Sequence, residues 1–305
     1  MKALEVNSIS KSYRQGGQLV KAVRGVSLSL KAGEVLAFLG ANGAGKTTTI
    51  KIIAGLIEPD TGWVNIAGDD PHRNPKALRR LGAVLEGNRN LYWRLTPEEN
   101  LEYFGILKGL SRSVARRRAK NLLDRFELMD KRQMTVQTLS RGMQQKLAIA
   151  TALIHNPSLL LLDEPTLGLD VEATQNVKML VREIAKAGCA ILLTTHQLDL
   201  AEELSHRVAI IQKGEIVAQA STRELIKRFS SAAYTIEVEG ELDLIQLQVV
   251  EALGAIVQNN SIIYVRGNQR LYGVLQVLKP LPLLKVKKDG NNLTEIFLQL
   301  IRERS

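Results

Sequence analysis

The chain has 305 residues, enough for one large domain or a large and a small one, and 45% of them are apolar, which excludes a mini-scaffold or a disordered polypeptide. Charged residues make up 24% and aromatics only 4%, too few for a protein built around stacked rings. Lys and Arg number 41 against 31 Asp and Glu, and the net charge of +10 suits nucleic acid, anionic lipid or acidic ligands without choosing among them. The single cysteine, Cys189, has no intramolecular disulfide partner, which points to a reducing, cytosolic compartment. Residues 1–10 lack an apolar signal-type core, and no window approaches the roughly 18 apolar residues that cross a bilayer. Any membrane role is therefore expected to come through a partner.

In chain order, residues 35–39 read as a short buried strand, followed by the glycine-rich loop Gly40-Ala41-Asn42-Gly43-Ala44-Gly45-Lys46-Thr47 and a helical run to Ala54, stopped by Gly55. From about Thr96 to Ile154 the pattern is helical, with Leu101, Phe104, Leu107, Leu122, Leu123 and Phe126 expected on apolar faces. A second buried strand, 158–162, ends in Asp163-Glu164-Pro165, and a third, 190–194, ends at Thr195-His196. Reactive side chains thus fall at the C-terminal ends of apolar strands, where open parallel sheets bind ligands. After about Ala220 the character changes. A final helix and connector over 223–231 lead into strand 234–239, helix 242–253, two short strands turning at Asn259-Asn260, helix 269–278 and strand 284–287. That order is βαββαβ, the split arrangement of ferredoxin-like domains. An amphipathic helix over 293–301 is expected to close the chain.

The loop from Gly40 to Thr47 fits G-x-x-x-x-G-K-[ST]. In such a loop backbone N–H groups curl around phosphates, Lys46 adds a positive charge, the Thr47 hydroxyl binds Mg²⁺, and the helix that starts beside it points its positive end at the same phosphates. Asp163 and Glu164 place one carboxylate where it can orient Mg²⁺ and a second where it can polarise an attacking water; a pair of acids capping the next helix is the structural alternative. His196, at the end of the third strand, is a γ-phosphate contact in that setting and a satisfied buried histidine in any other.

These residues resemble those of the ATP-binding subunits of ABC (ATP-binding cassette) transporters, over about 1–230. Upstream of Asp163, Leu139-Ser140-Arg141-Gly142-Met143-Gln144 resembles the signature sequence of that family, with Arg141 at its usual second glycine and Met143 at its usual glutamine. The resemblance implies that Ser140 and Gly142, at a helix N-terminus, bind the γ-phosphate held by a second copy, so that two chains sandwich two nucleotides. It also implies that Tyr13 stacks on adenine, that Gly40 through Thr48 hold the phosphates, and that Asp170 in Leu167-Gly168-Leu169-Asp170 joins the two active sites. A glutamine that contacts Mg²⁺ and the attacking water is replaced in this chain by Glu86, which adds a negative charge near the γ-phosphate. Asn90 to Pro97, with Tyr92 and Trp93, falls where the family receives a short helix of its membrane subunit. The basic run Arg112, Arg116, Arg117, Arg118, Lys120 and Arg125 reads as a solvated helix face, because Asp124, Glu127 and Asp130 interrupt it and no nucleic-acid motif accompanies it.

The expectation is therefore an α/β P-loop ABC-type nucleotide-binding domain over 1–222, with an inserted helical subdomain at about 88–156. A connector over 223–232 and a small α+β domain over 233–305 follow. The implied activity is Mg²⁺-dependent ATP hydrolysis that closes a homodimer on ATP and drives a separately encoded transmembrane permease at the cytoplasmic face of the membrane. A single cassette with an LSxGM-like signature and a small C-terminal domain resembles exporters of drugs, antibiotics or glycolipids. A soluble ABC ATPase acting on ribosomes or DNA is the alternative. Such relatives carry two cassettes or long inserted coiled coils; one phosphate loop and no sustained heptads are found, and no nucleic-acid partner is expected.

Overall fold

In the computed structural model the described residues are 2–85, 91–229, 233–259, 261–289, 293 and 296. Backbone contacts divide the chain into two units, 1–222 and 223–305.

The first unit opens with two long strands, β1 (Lys2–Gln15) and β2 (Gln18–Lys31), then β3 (Val35–Leu39), helix α1 (Lys46–Ile53), β4 (Thr61–Ile66) and β5 (Leu81–Val84). Three helices follow: α2 (Pro97–Leu107), α3 (Arg112–Arg125) and α4 (Arg141–Leu153). β6 (Leu159–Asp163), α5 (Val171–Lys186), β7 (Ala190–Thr195), α6 (Leu198–Leu204), β8 (Arg207–Gln212) and β9 (Glu215–Ser221) complete it. β6 and β7 each reach one residue further than the sequence pattern indicates, so Asp163 and Thr195 are the last residues of strands.

Six strands pair in the order β5-β6-β7-β3-β8-β9, parallel except for the antiparallel edge strand β9. β1, β2 and β4 form a separate antiparallel sheet in the order β2-β1-β4. Two hydrophobic cores flank the parallel sheet, because successive side chains of a strand point to opposite faces. Leu159 and Leu161 of β6 enter the core that α1 shares with the antiparallel sheet, where Leu4, Val64, Ile50 and Phe38 meet. Leu160 and Leu162 enter the other, with Leu101 of α2, Leu123 of α3, Leu147 of α4 and Val181 of α5. A strand buried on both faces reads as an unbroken apolar run, which is the pattern of β3, β6 and β7.

The helices start where their capping residues dictate. Thr96 forms a capping box with Glu99, Pro97 occupies the first turn of α2, and Ser111, Ser140 and Asp170 cap α3, α4 and α5. One expected core residue is misplaced: Leu107 is 65% exposed, because α2 ends there and its last turn leaves the apolar face.

The second unit holds α7 (Thr222–Phe229, which begins at the boundary), β10 (Ala233–Val238), α8 (Leu244–Ala252), β11 (Ile256–Gln258), β12 (Ile262–Arg266), α9 (Asn268–Val277) and β13 (Leu283–Asp289). Its four strands pair antiparallel in the order β11-β12-β10-β13. Ile236, Ile263 and Val265 of the sheet pack on Val250 of α8 and Val274 of α9 in a core of its own. The helix expected over 293–301 lies outside the described residues except for Leu293 and Ile296, both buried.

Candidate functional site

Strand register assembles the site. Leu39, the last residue of β3, stands opposite Thr195 of β7, and Thr194 of β7 stands opposite Asp163 of β6. The loop after β3, the carboxylates after β6 and the histidine after β7 therefore emerge side by side at the C-terminal edge of the sheet. They line one cleft of about 590 Å³ with Ala41, Asn42, Gly43, Gly45, Lys46, Thr47, Thr48, Asp163, Glu164 and His196 in its wall.

Two glycines of the loop are required by space. A Cβ at Gly40 would stand 2.6 Å from the Ile211 carbonyl oxygen, and one at Gly45 would stand 2.4 Å from that of Ala22. Gly45 also holds φ at +110°, a backbone state that L side chains avoid. Ala44 accepts from Gly214 N–H at 3.0 Å, which fixes the loop to the turn after β8. Among the described residues no side chain caps the first turn of α1, so its N–H groups stay free for an anion. Lys46 is buried, and its ammonium donates to the carbonyls of Gly40 (2.7 Å) and Ala41 (3.3 Å), a cation folded into the loop it serves.

Across the cleft, Asp163 is buried at 5% exposure, and its Oδ1 accepts a hydrogen bond from Thr194 Oγ1. Its Oδ2 is buried with no partner among the described residues. An orphaned carboxylate oxygen on a residue lining the cleft suits a divalent cation, and Thr47 supplies a hydroxyl in the same wall. Among the described residues no group of three His, Cys, Asp or Glu could hold a metal alone.

Glu164 has φ of +48°, an unfavourable value for a residue with a Cβ. Its backbone N–H donates to the Thr194 carbonyl at 3.1 Å, and its carboxylate accepts from His196 Nδ1–H at 2.8 Å. A carboxylate can only accept, so the proton sits on Nδ1 and Nε2 is left facing outward from a half-exposed ring. Thr166 Oγ1 donates to Gln197 Oε1 at 3.0 Å and ties the two strand ends together again. The roles of Thr194, Thr166 and Gln197 escape the sequence reading; their place within three residues of the end of an apolar strand is the only signal they offer.

The remaining expected residues stand elsewhere. Ser140 is exposed and accepts from Met143 N–H at 3.3 Å as the cap of α4. Gly142 packs so closely on α5 that a Cβ would come within 2.8 Å of Ala173 Cβ. Asp170 accepts from Ala173 N–H at 2.7 Å as the cap of α5. Tyr13 lies on β1 and is 39% exposed. None of these four is in the wall of the phosphate cleft. Glu86 lies outside the described residues. Tyr92 and Trp93 are both exposed, and Tyr92 meets Tyr103 edge-on at 5.0 Å between ring centres.

The family profile described as ABC transporter matches residues 23–167. The ATP-binding protein NatA of Bacillus subtilis is 37% identical over 223 residues, 73% of this chain and 91% of that one. The daunorubicin/doxorubicin resistance ATP-binding protein DrrA of Streptomyces peucetius is 40% identical over 224 residues, 73% of this chain and 67% of that one. The Nod factor export ATP-binding protein I of Ralstonia nicotianae is 35% identical over 309 aligned positions, 97% of this chain and 93% of that one. A solved dimeric ATP-binding cassette in a post-hydrolysis state, bound to ADP and Pi, superposes with a TM-score of 0.65 at 29% identity over 72% of this chain and 99% of that one. With the phosphate loop, the paired carboxylates and the strand-end histidine in one cleft, these likenesses place the chain in the ABC transporter family, among its ATP-binding proteins.

Proposed function

We propose that the protein is the ATP-hydrolysing subunit of an ABC exporter. The observation that carries the reading is the convergence of the Gly40–Thr47 loop, Asp163, Glu164 and His196 in one cleft at the strand ends. ATP lays its phosphates on the loop amides and on the open N-terminus of α1, and Lys46 exchanges the Gly40 and Ala41 carbonyls for phosphate oxygens. Asp163 Oδ2 and the Thr47 hydroxyl would hold Mg²⁺, which when bound neutralises charge on the phosphate oxygens. Glu164 polarises the attacking water, and the histidine it orients turns Nε2 to the γ-phosphate. Tyr13 serves the adenine. Glu86 is assigned a metal and water contact on the family resemblance.

Ser140, Gly142 and Asp170 stand outside the cleft of their own chain, which supports a homodimer in which each copy completes the site of the other. DrrA and the Nod factor protein are named for resistance and export, which favours an exporter over an ATPase acting on ribosomes or DNA. Among the described residues no helix is long and apolar enough to cross a membrane. We therefore assign the protein to the cytoplasmic membrane face, on a separately encoded permease that meets the exposed aromatics around Tyr92 and Trp93. The three helices between β5 and β6 are read as the inserted helical subdomain, at about 88–156. Residues 223–232 are read as a connector, and 233–305 as a ferredoxin-like domain on the strength of the β11-β12-β10-β13 order.

ATPase assays with nucleotide-binding measurements test the site. Lys46→Ala is expected to abolish ATP binding, and Glu164→Gln to bind ATP while losing about a hundredfold or more of turnover, the scale of removing a group that assists proton transfer. Full turnover in Glu164→Gln would remove the water-polarising role.

A further inference from the structure

Arg141 is an exposed arginine at the first turn of α4 for which neither an ion pair nor a hydrogen bond is found among the described residues. It lines a cavity of about 330 Å³ with Asp163, Glu164, Trp93 and the loop Leu167-Gly168-Leu169. A Cβ at Gly168 would stand 3.2 Å from Arg141 Nη1, so the guanidinium lies beside the Gly168 backbone, where φ is +73°. The first turn of α4 is itself a firm base, since Gly142 packs tightly on Ala173 at the start of α5.

The loop beneath Arg141 needs a buttress. Glu164 holds a positive φ, and such a conformation persists only where its surroundings over-determine it. On the sheet side the Glu164 N–H bond to Thr194 and the Thr166–Gln197 bond fix the segment. The turn bonds Leu167 N–H to Glu164 O (3.1 Å) and Leu169 N–H to Thr166 O (3.3 Å) act only within the loop. Leu169 packs on the core of α4 and α5, and Arg141 lies against the exposed turn at Gly168 from a separate element.

We propose that Arg141 is a positioning residue for ATP hydrolysis: its guanidinium, seated on Gly168, ties the start of α4 to the loop that carries Glu164 and holds that carboxylate in register. This rests on the reading of Glu164 as the group that polarises water. Arg141 touches neither substrate nor reacting atoms in this role, so its loss acts on turnover and leaves nucleotide affinity alone.

A rescue experiment tests it. Gly168→Asn introduces a residue type that tolerates positive φ while filling the space of the guanidinium. Arg141→Ala and Gly168→Asn are each expected to lower kcat by about tenfold, a modest share of what misplacing a reacting group can cost, with ATP affinity unchanged within about twofold. In the double variant the new side chain at position 168 finds the space vacant, so turnover falls no further than in Arg141→Ala. A double variant that shows the product of the two losses, or an Arg141→Ala protein with wild-type kcat, overturns the proposal. Glu164→Gln assayed alongside separates the two ideas, because full turnover there sinks the Glu164 reading whatever the Arg141 series shows. Trp93 emission, read in a Trp63→Phe background, gives a measure independent of turnover. Both single variants should shift it and the double variant should shift it no further, whereas unchanged emission in Arg141→Ala contradicts the contact.

Discussion

Asp163 and the half-buried His155 each keep a buried polar atom without a hydrogen-bond partner among the described residues, and their surroundings give the two atoms different meanings. Asp163 lines the phosphate cleft, and on the proposed function the partner of its Oδ2 is the cation that comes with the substrate. His155 Nδ1 lies instead beside the ends of α2 and β5, where Nε2–H donates to the Leu81 carbonyl at 3.0 Å. Burial, reinforced by the charge of Lys108, pushes the His155 imidazole down to about 4. Its folded pKa is thus below the unfolded value, and between about 6.5 and 4 only the unfolded chain takes the proton. Stability is therefore complete above the unfolded pKa and declines as pH falls through this window, by up to about 3 kcal/mol. Denaturant titrations from pH 7 to 4 should show a shallower decline in His155→Gln than in the parent chain. Parallel declines would mean that His155 is protonated in the folded state. At this scale the sequence is most legible where chemistry demands a residue type: Gly45, Lys46, Asp163, Glu164 and His196 all reach the cleft. Thr194 is not legible, because its bond to Asp163 depends on the register of β6 and β7, which no local pattern encodes.

Elements buried on both faces announce themselves, and elements with irregular pairing do not. β3, β6 and β7 are runs of Val, Leu, Ile and Ala bounded by polar residues and stand out at once. β1 and β2, 14 residues each, do not, because pairing shifts at Leu4, Ile9, Lys11 and Ser12 break the alternation that marks a strand. The short strands of the second unit are legible through the turn at Asn259, although their exposed faces carry Ile256 and Tyr264 and blur the pattern. Packing between elements also gives Gly142 a role that the signature resemblance does not include. An added methyl would collide with Ala173 where α4 meets α5, so Gly142→Ala is expected to destabilise the first unit by about 1–3 kcal/mol. In a domain of this size each kcal/mol corresponds to about 2–4 °C of Tm, which calorimetry reads directly. An unchanged Tm would show that the helices part easily and that glycine is there for the nucleotide alone.

For the whole molecule, the division of labour within one chain is the central point. The cleft holds the glycine-rich loop, Asp163 and Glu164, while Ser140, Gly142 and Asp170 stand outside it at the starts of α4 and α5. In the proposed homodimer the positive end of α4, capped within its own chain by Ser140, would meet the phosphate that a second copy holds. Closure on ATP is then a binding equilibrium that hydrolysis reverses, the cycle a membrane partner can harness. Sedimentation of Glu164→Gln with and without ATP and Mg²⁺ tests this most directly. The stalled protein should be a monomer alone and a dimer with ATP and Mg²⁺, and Lys46→Ala in the same background should stay monomeric. A Glu164→Gln protein that binds ATP yet sediments as a monomer at every ATP concentration contradicts the sandwich.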